Sequence, residues 1–104
     1  MRFFIFILFL INDSIYCQIN WKDGNWAMEC DFRENDIENA NTPAEDCSNK
    51  CKQTNSCTHF TWTTWNGGTC WMKSGSVTKS DARSTGDSTM VCGIVSADSS
   101  SNYF

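Results

Sequence analysis

Four cysteines crowd the middle of this chain: Cys47, Cys51, Cys57 and Cys70, at spacings of four, six and thirteen residues. Thiols at that density hold zinc, supply a nucleophile, or oxidise in pairs. Compartment decides among the three. Met1-Arg2 followed by an unbroken apolar run over residues 3–11 has the charge, length and position of a secretory signal peptide, and it is too short to span a bilayer as a helix. Cleavage after Cys17, with Ile15 and Cys17 at the third and first positions before the cut, makes residues 1–17 the signal peptide and Gln18 the new terminus. A lipoprotein anchor on Cys17 is disfavoured, because Ser14-Ile15-Tyr16 lacks the usual leucine and small residues of such a site. Six of the seven cysteines then remain, Cys30, Cys47, Cys51, Cys57, Cys70 and Cys92, an even set entering an oxidising compartment. Three disulfides are expected there, with no metal and no cofactor.

The same count removes any free thiol nucleophile. His59 is the single histidine; strand alternation places it beside Thr61, Thr63 and Trp65, as a solvent-facing or hydrogen-bonded structural residue. Asp31 with Glu34, and Asp36 with Glu38, have the chemistry of glycosidase carboxylate pairs. They flank short strands with no pocket signature, however, and read as solvated acids. No catalytic residue is assigned, and the chain is not expected to be an enzyme. The tryptophans point elsewhere: the 87 residues left after cleavage rarely need five of them to fill a core. Indole faces stack on sugar rings or anchor peptide partners. Trp65 and Trp71, on the hairpin side away from the helix, are the candidate ligand contacts, unless the lead-in, the loop over residues 74–88 or the chain ends cover that face.

Those residues need elements to position them. Thr42-Pro43-Ala44-Glu45 predicts a helix start, with Thr42 as cap, Pro43 at the first helical position and Glu45 reaching back. Through about residue 53 no glycine or second proline intervenes, so Cys47 and Cys51, four apart, share one buried face. Acidic Glu45 and Asp46 early, with basic Lys50 and Lys52 late, suit the helix dipole. Residues 57–65, dense in threonine and aromatics, predict a strand, Asn66-Gly67 a tight hairpin turn with Gly68 as a bulge, and residues 69–73 the partner strand. Upstream, residues 18–25 form a polar lead-in with a turn at Asp23-Gly24-Asn25. Residues 26–32 alternate in period two, with Trp26, Met28 and Cys30 on one side, as a first strand. Residues 37–40 predict a second short strand and residues 89–95 the last. Residues 74–88 read as a long loop with little core to offer, and residues 96–104 as a serine-rich tail.

At 87 residues the mature chain is a single domain that buries only about 60–65 per cent of its unfolded surface, and domains of that size want staples. Six cysteines allow fifteen pairings. Bridging Cys30 to Cys92 would tie the domain's ends if the first and last strands lie side by side. The helix face alone admits Cys47 with Cys70 and Cys51 with Cys57, or the swap. Reach favours the first: Cys51 needs only a turn to meet Cys57, and Cys47, one turn earlier, is better placed for the second hairpin strand.

These residues resemble the PAN/apple domain family over residues 30–95. The motifs are Cys47-x3-Cys51-x5-Cys57 on the helix, then Cys57-Thr58-His59-Phe60-Thr61-Trp62, similar to the family's cysteine and two-aromatic strand, then Cys70-Trp71-Met72-Lys73, similar to its cysteine-aromatic-aliphatic-lysine strand. The resemblance implies an α+β fold in which one helix packs on a curled antiparallel sheet of about five strands. It implies the nested bridges Cys30–Cys92, Cys47–Cys70 and Cys51–Cys57. It also implies non-catalytic recognition of protein or carbohydrate. No kringle or protease segment accompanies the motifs, which argues against a coagulation-type role.

The mature side chains number 7 basic against 11 acidic, a net charge of −4, which disfavours nucleic acid, heparin-like polyanions and anionic membranes as partners. No later apolar stretch approaches membrane-spanning length. Asn-x-Ser/Thr occurs only at Asn12-Asp13-Ser14, ahead of the cut, so the mature chain is not expected to carry N-glycans. The expectation is a secreted, extracellular module binding protein or glycan. A small secreted effector or inhibitor that occludes a target protein is the alternative.

Overall fold

The computed structural model describes residues 18–95. The expected signal peptide, with Asn12, and the expected tail lie outside the described residues.

The organising strand is β5 (His59–Thr63), which pairs antiparallel with β6 (Thr69–Lys73) on one side and β8 (Val91–Ile94) on the other. Outward from β8 come β2 (Trp26–Met28) and β1 (Trp21–Lys22), and outward from β6 comes β4 (Asp36–Asn41), giving six antiparallel strands ordered β1-β2-β8-β5-β6-β4. A separate two-stranded ribbon joins β3 (Cys30–Asp31) to β7 (Arg83–Ser84). Among the described residues there is one α-helix, α1, spanning Ala44–Gln53.

Period-two alternation sorts the sheet's side chains into two layers. Phe60, Cys70, Met72, Val91 and Val95 face α1 and close over its buried Cys47 and Cys51, with Trp26, Ala40 and Trp62 packed around them. Ala27 and Cys92 face the other way, against Cys30 and Phe32, with Val77, Ala82 and Ile94 at the margin. The result is a helix, a sheet and a ribbon in three layers. Disulfides stitch both interfaces: Cys47–Cys70 and Cys51–Cys57 on the helix side, Cys30–Cys92 on the ribbon side.

Gly93 of β8 sits where the Phe60 ring crosses the strand. A Cβ there would lie 2.6 Å from Phe60 Cζ, so the absence of a side chain is what admits the ring.

Five local expectations are corrected. The residues expected as one first strand split at Glu29, whose φ of 59° turns the chain out of the sheet. Its N–H donates to the Met90 carbonyl and its own carbonyl accepts from Thr85 N–H. The alternation therefore changes phase: Ala27, Cys30 and Phe32 are buried, while Met28 is exposed. Cys30 consequently meets Cys92 from the ribbon rather than from a neighbouring strand, since β8 pairs with β2 through Ala27↔Cys92.

The helix begins one residue late. Pro43 is its N-cap and no side chain caps it. Thr42 is held elsewhere: its N–H donates to Gly68 O and its carbonyl accepts from Trp62 Nε1 at 2.7 Å, while its hydroxyl donates to Pro43 O. The hairpin loop runs from Thr64 to Gly68, longer than a two-residue turn. Asn66 and Gly67 do take positive φ, within a 3-10 turn over Trp65–Gly67. Finally, residues 74–88 hold β7, a second 3-10 turn (Lys79–Asp81) with a Thr78–Asp81 capping box, and the partly buried Val77 and Ala82. The polar lead-in likewise contains β1, paired with β2 through a turn in which Asn25 N–H donates to Lys22 O.

Two stability outcomes follow. Gly93→Ala should cost about 1–3 kcal/mol in a denaturant melt, the usual range for overpacking a filled core. Removing Cys30–Cys92 by paired serines should cost about 4 kcal/mol and removing Cys51–Cys57 about 2, because the closed loops span 62 and 6 residues.

Candidate functional site

Trp71 lies on the β6 face turned away from α1, and Trp65 follows β5 in the hairpin loop. Their ring centroids are 5.6 Å apart with planes inclined at 47°. Thr63 organises the pair, since its hydroxyl accepts from Trp71 Nε1 at 2.9 Å and from Trp65 N at 3.4 Å. Thr69 closes the loop, its hydroxyl donating to Trp65 O at 2.7 Å. Trp65 remains 61 % exposed, and Trp71 is half-buried. The ribbon therefore covers only part of this sheet face and leaves the two indoles at the edge of an open depression of about 600 Å³.

Phe32 and Met90 add apolar surface to that depression, and its remaining lining is polar. Asp31, Arg33, Glu34 and Asp36 line it from the ribbon and the turn that follows, and Thr61, Thr63 and Lys73 from the sheet. Lys73 is buried, with its ammonium ion-paired to Asp36 and donating to Glu34 O at 3.3 Å. Glu34 and Asn35 both hold left-handed backbone, φ 64° and 67°, which is the turn that brings Glu34 O to Lys73. Of the two carboxylate pairs considered from sequence, Asp31 and Glu34 both line this depression, whereas Asp36 is committed to Lys73 and Glu38 lies exposed on β4. Among the described residues, no group of three or more His, Cys, Asp or Glu stands together as a metal site.

A second concavity escaped the sequence reading. Trp26 and Met28 of β2, Phe60 and Trp62 of β5, Val91 of β8 and Ala44 of α1 converge on an apolar groove of about 590 Å³. Its parts are scattered over the chain, and the pairing of Trp26 with Gly93 is what sets its ring on the helix side.

The model of the PAN domain matches residues 29–97. The chain belongs to the PAN domain family. No curated protein and no solved structure matches it. PAN domains are protein- or carbohydrate-binding modules and generally act without catalysis. One helix on a six-stranded antiparallel sheet suits that family, and among the described residues no helix is long and apolar enough to cross a membrane.

His59 of this PAN domain is fully buried, so the solvent-facing option is excluded. Its Nδ1 lies 2.8 Å from Thr58 Oγ1, and that hydroxyl donates its hydrogen to Gly75 O at 2.6 Å. Nδ1 must then carry the ring proton, which leaves Nε2 as a bare acceptor with no partner among the described residues. The Phe32 ring meets the imidazole edge-on at 5.0 Å. Protonating Nε2 would create a buried charge beside Lys73, and burial first, then Lys73, holds the His59 pKa below its ordinary value of 6.5 against weaker opposing effects of Asp81 and Asp36.

Stability follows from linkage. Below about pH 6.5 the unfolded chain binds a proton that the folded one resists, so stability falls as pH drops through that value toward the depressed folded pKa. Chemical denaturation from pH 7.5 to 5 should show this decline, and His59→Gln should flatten it.

Proposed function

We propose that this PAN domain is a secreted, non-catalytic recognition module whose Trp65–Trp71 face binds extracellular glycan. The observation that carries the reading is the inclined indole pair, one ring 61 % exposed, beside a depression lined by fixed charged and hydroxyl groups. Sugar rings present C–H faces that stack on indole, and their hydroxyls need oriented polar partners at the rim. Thr63 and Thr69 hold the pair from below, so the platform is set before a ligand arrives and little ordering is required on binding. Export is supported by the signal-like segment over residues 1–17 and by the three bridges, which persist only where the surroundings are oxidising. The alternative role, an effector that occludes a target protein, would draw on the apolar groove rather than on this face.

A glycan array probed with the secreted protein should give saturable binding to a defined sugar class, weakened tenfold or more by Trp65→Ala and by Trp71→Ala with the fold retained. Binding indifferent to both substitutions, or inhibition of a protease with no sugar bound, would overturn the assignment. The secreted chain should begin at Gln18 and carry no free thiol when peptides are mapped without reduction.

A further inference from the structure

The apolar groove lies on the opposite side of the sheet from the indole pair, because Phe60 and Trp62 alternate with Thr61 and Thr63 along β5. Its volume of about 590 Å³ falls in the range of ligand sites. Trp26, Phe60, Trp62 and Val91 give it an apolar floor, and Met28, 39 % exposed, stands at its mouth. The polar side chains that line it are the hydroxyl residues Ser48, Thr64, Ser88 and Thr89 and one carboxylate, Glu45.

Charge is what narrows the occupant. Among the described residues, no basic side chain lines the groove. Glu45 and, next to it, Asp46 stand exposed in the first turn of α1. Asp87 immediately precedes the rim residues Ser88 and Thr89. Its carboxylate accepts from Thr89 N–H at 2.9 Å and Thr89 Oγ1 at 2.6 Å, bonds that favour its ionised form. Lys22 is held on the Trp26 ring, its ammonium 5.9 Å from the ring centroid.

We propose that this groove docks a basic, hydrophobic segment of a partner protein, seating an aromatic or aliphatic side chain on Trp26, Phe60 and Trp62 with a lysine or arginine beside it on Glu45 or Asp87. A fatty acid or anionic lipid would set its headgroup against those acids. A second copy of this chain, at net charge −4, would be repelled. The site stands independently of the Trp65–Trp71 reading.

Three synthetic peptides sharing a central Leu-Trp-Leu core and flanked on each side by two lysines, two serines or two glutamates serve as probes, with methionine-methyl NMR reporting on Met28 and calorimetry on affinity. The lysine-flanked peptide should bind at least tenfold tighter than the glutamate-flanked one and weaken several-fold between 50 and 300 mM salt, as an ion-paired contact requires. Glu45→Lys should erase most of that preference while leaving the serine-flanked peptide unchanged. Met28→Lys should weaken all three, and Trp65→Ala should change none. Equal binding of the three peptides, insensitivity to Glu45→Lys, saturation by oleate instead, a dimer abolished by Met28→Lys, or binding that appears only after residues 96–104 are removed would each overturn the proposal.

Discussion

The structure depends on covalent ties across both faces of one thin sheet. A sheet of six strands, of which β1 has two residues and β2 three, cannot bury enough apolar surface against a ten-residue helix on one side and a four-residue ribbon on the other to hold three layers by packing alone. Each interface is instead closed by sulfur. Cys47 reaches β6 through Cys70, Cys51 fastens the end of α1 to the segment that starts β5, and Cys92 of β8 holds Cys30 of the ribbon. All of these cysteines except Cys57 are fully buried, so the bridges also serve as core.

That reinforcement permits a ribbon-side layer with unusual polarity. His59, Thr61 and Lys73 lie next to one another on paired strands, all buried. Thr61 accepts from Phe32 N–H at 3.1 Å and so pins the ribbon to the sheet. Lys73 is neutralised by Asp36 and hydrogen-bonded to Glu34 O, and burial disfavours a charge on His59, whose Nε2 has no partner among the described residues. An ordinary apolar core would give more stability, whereas this polar seam fixes register: a one-residue slip would aim Lys73 at the helix and Met72 at the ribbon. The polar residues under the Trp65–Trp71 face are thus part of the scaffold as well as its rim.

What the sequence made legible was whatever depends on neighbours along the chain. Alternation in β5, β6 and β8, the shared face of Cys47 and Cys51, and the positive dihedrals at Asn66-Gly67 all could be read directly, and with them the α+β class and the family. The features that escaped were decided by contacts between distant segments. Nothing local marks Glu29 as the place where the first strand breaks, because a glutamate rarely adopts left-handed backbone; the hydrogen bonds from Met90 and Thr85 impose it. Thr42 reads as a cap, yet Trp62 and Gly68 claim its backbone. Val77 and Ala82 hide in a serine- and threonine-rich stretch that composition describes as loop. The apolar groove was invisible for the same reason, since its floor comes from three strands and a helix.

The sheet's edges constrain how such a molecule can recognise anything. Strand addition to an open edge is a common mode of peptide capture. Here β1 offers two residues, too few to template a partner. At the other edge β4 carries Asp36, Glu38, Asn39 and Asn41 and is disrupted between Asp36 and Glu38, a combination of charge and bulge that opposes pairing. The central strands are paired on both sides. Main-chain recognition along the sheet is therefore blunted, and binding falls to side chains on its two faces. Those faces differ in kind: the ribbon side presents inclined indoles over a charged depression, and the helix side an apolar trough with Glu45 at its rim. Two surfaces of such unlike chemistry, separated by a sheet clamped on both sides, can each be altered without disturbing the other.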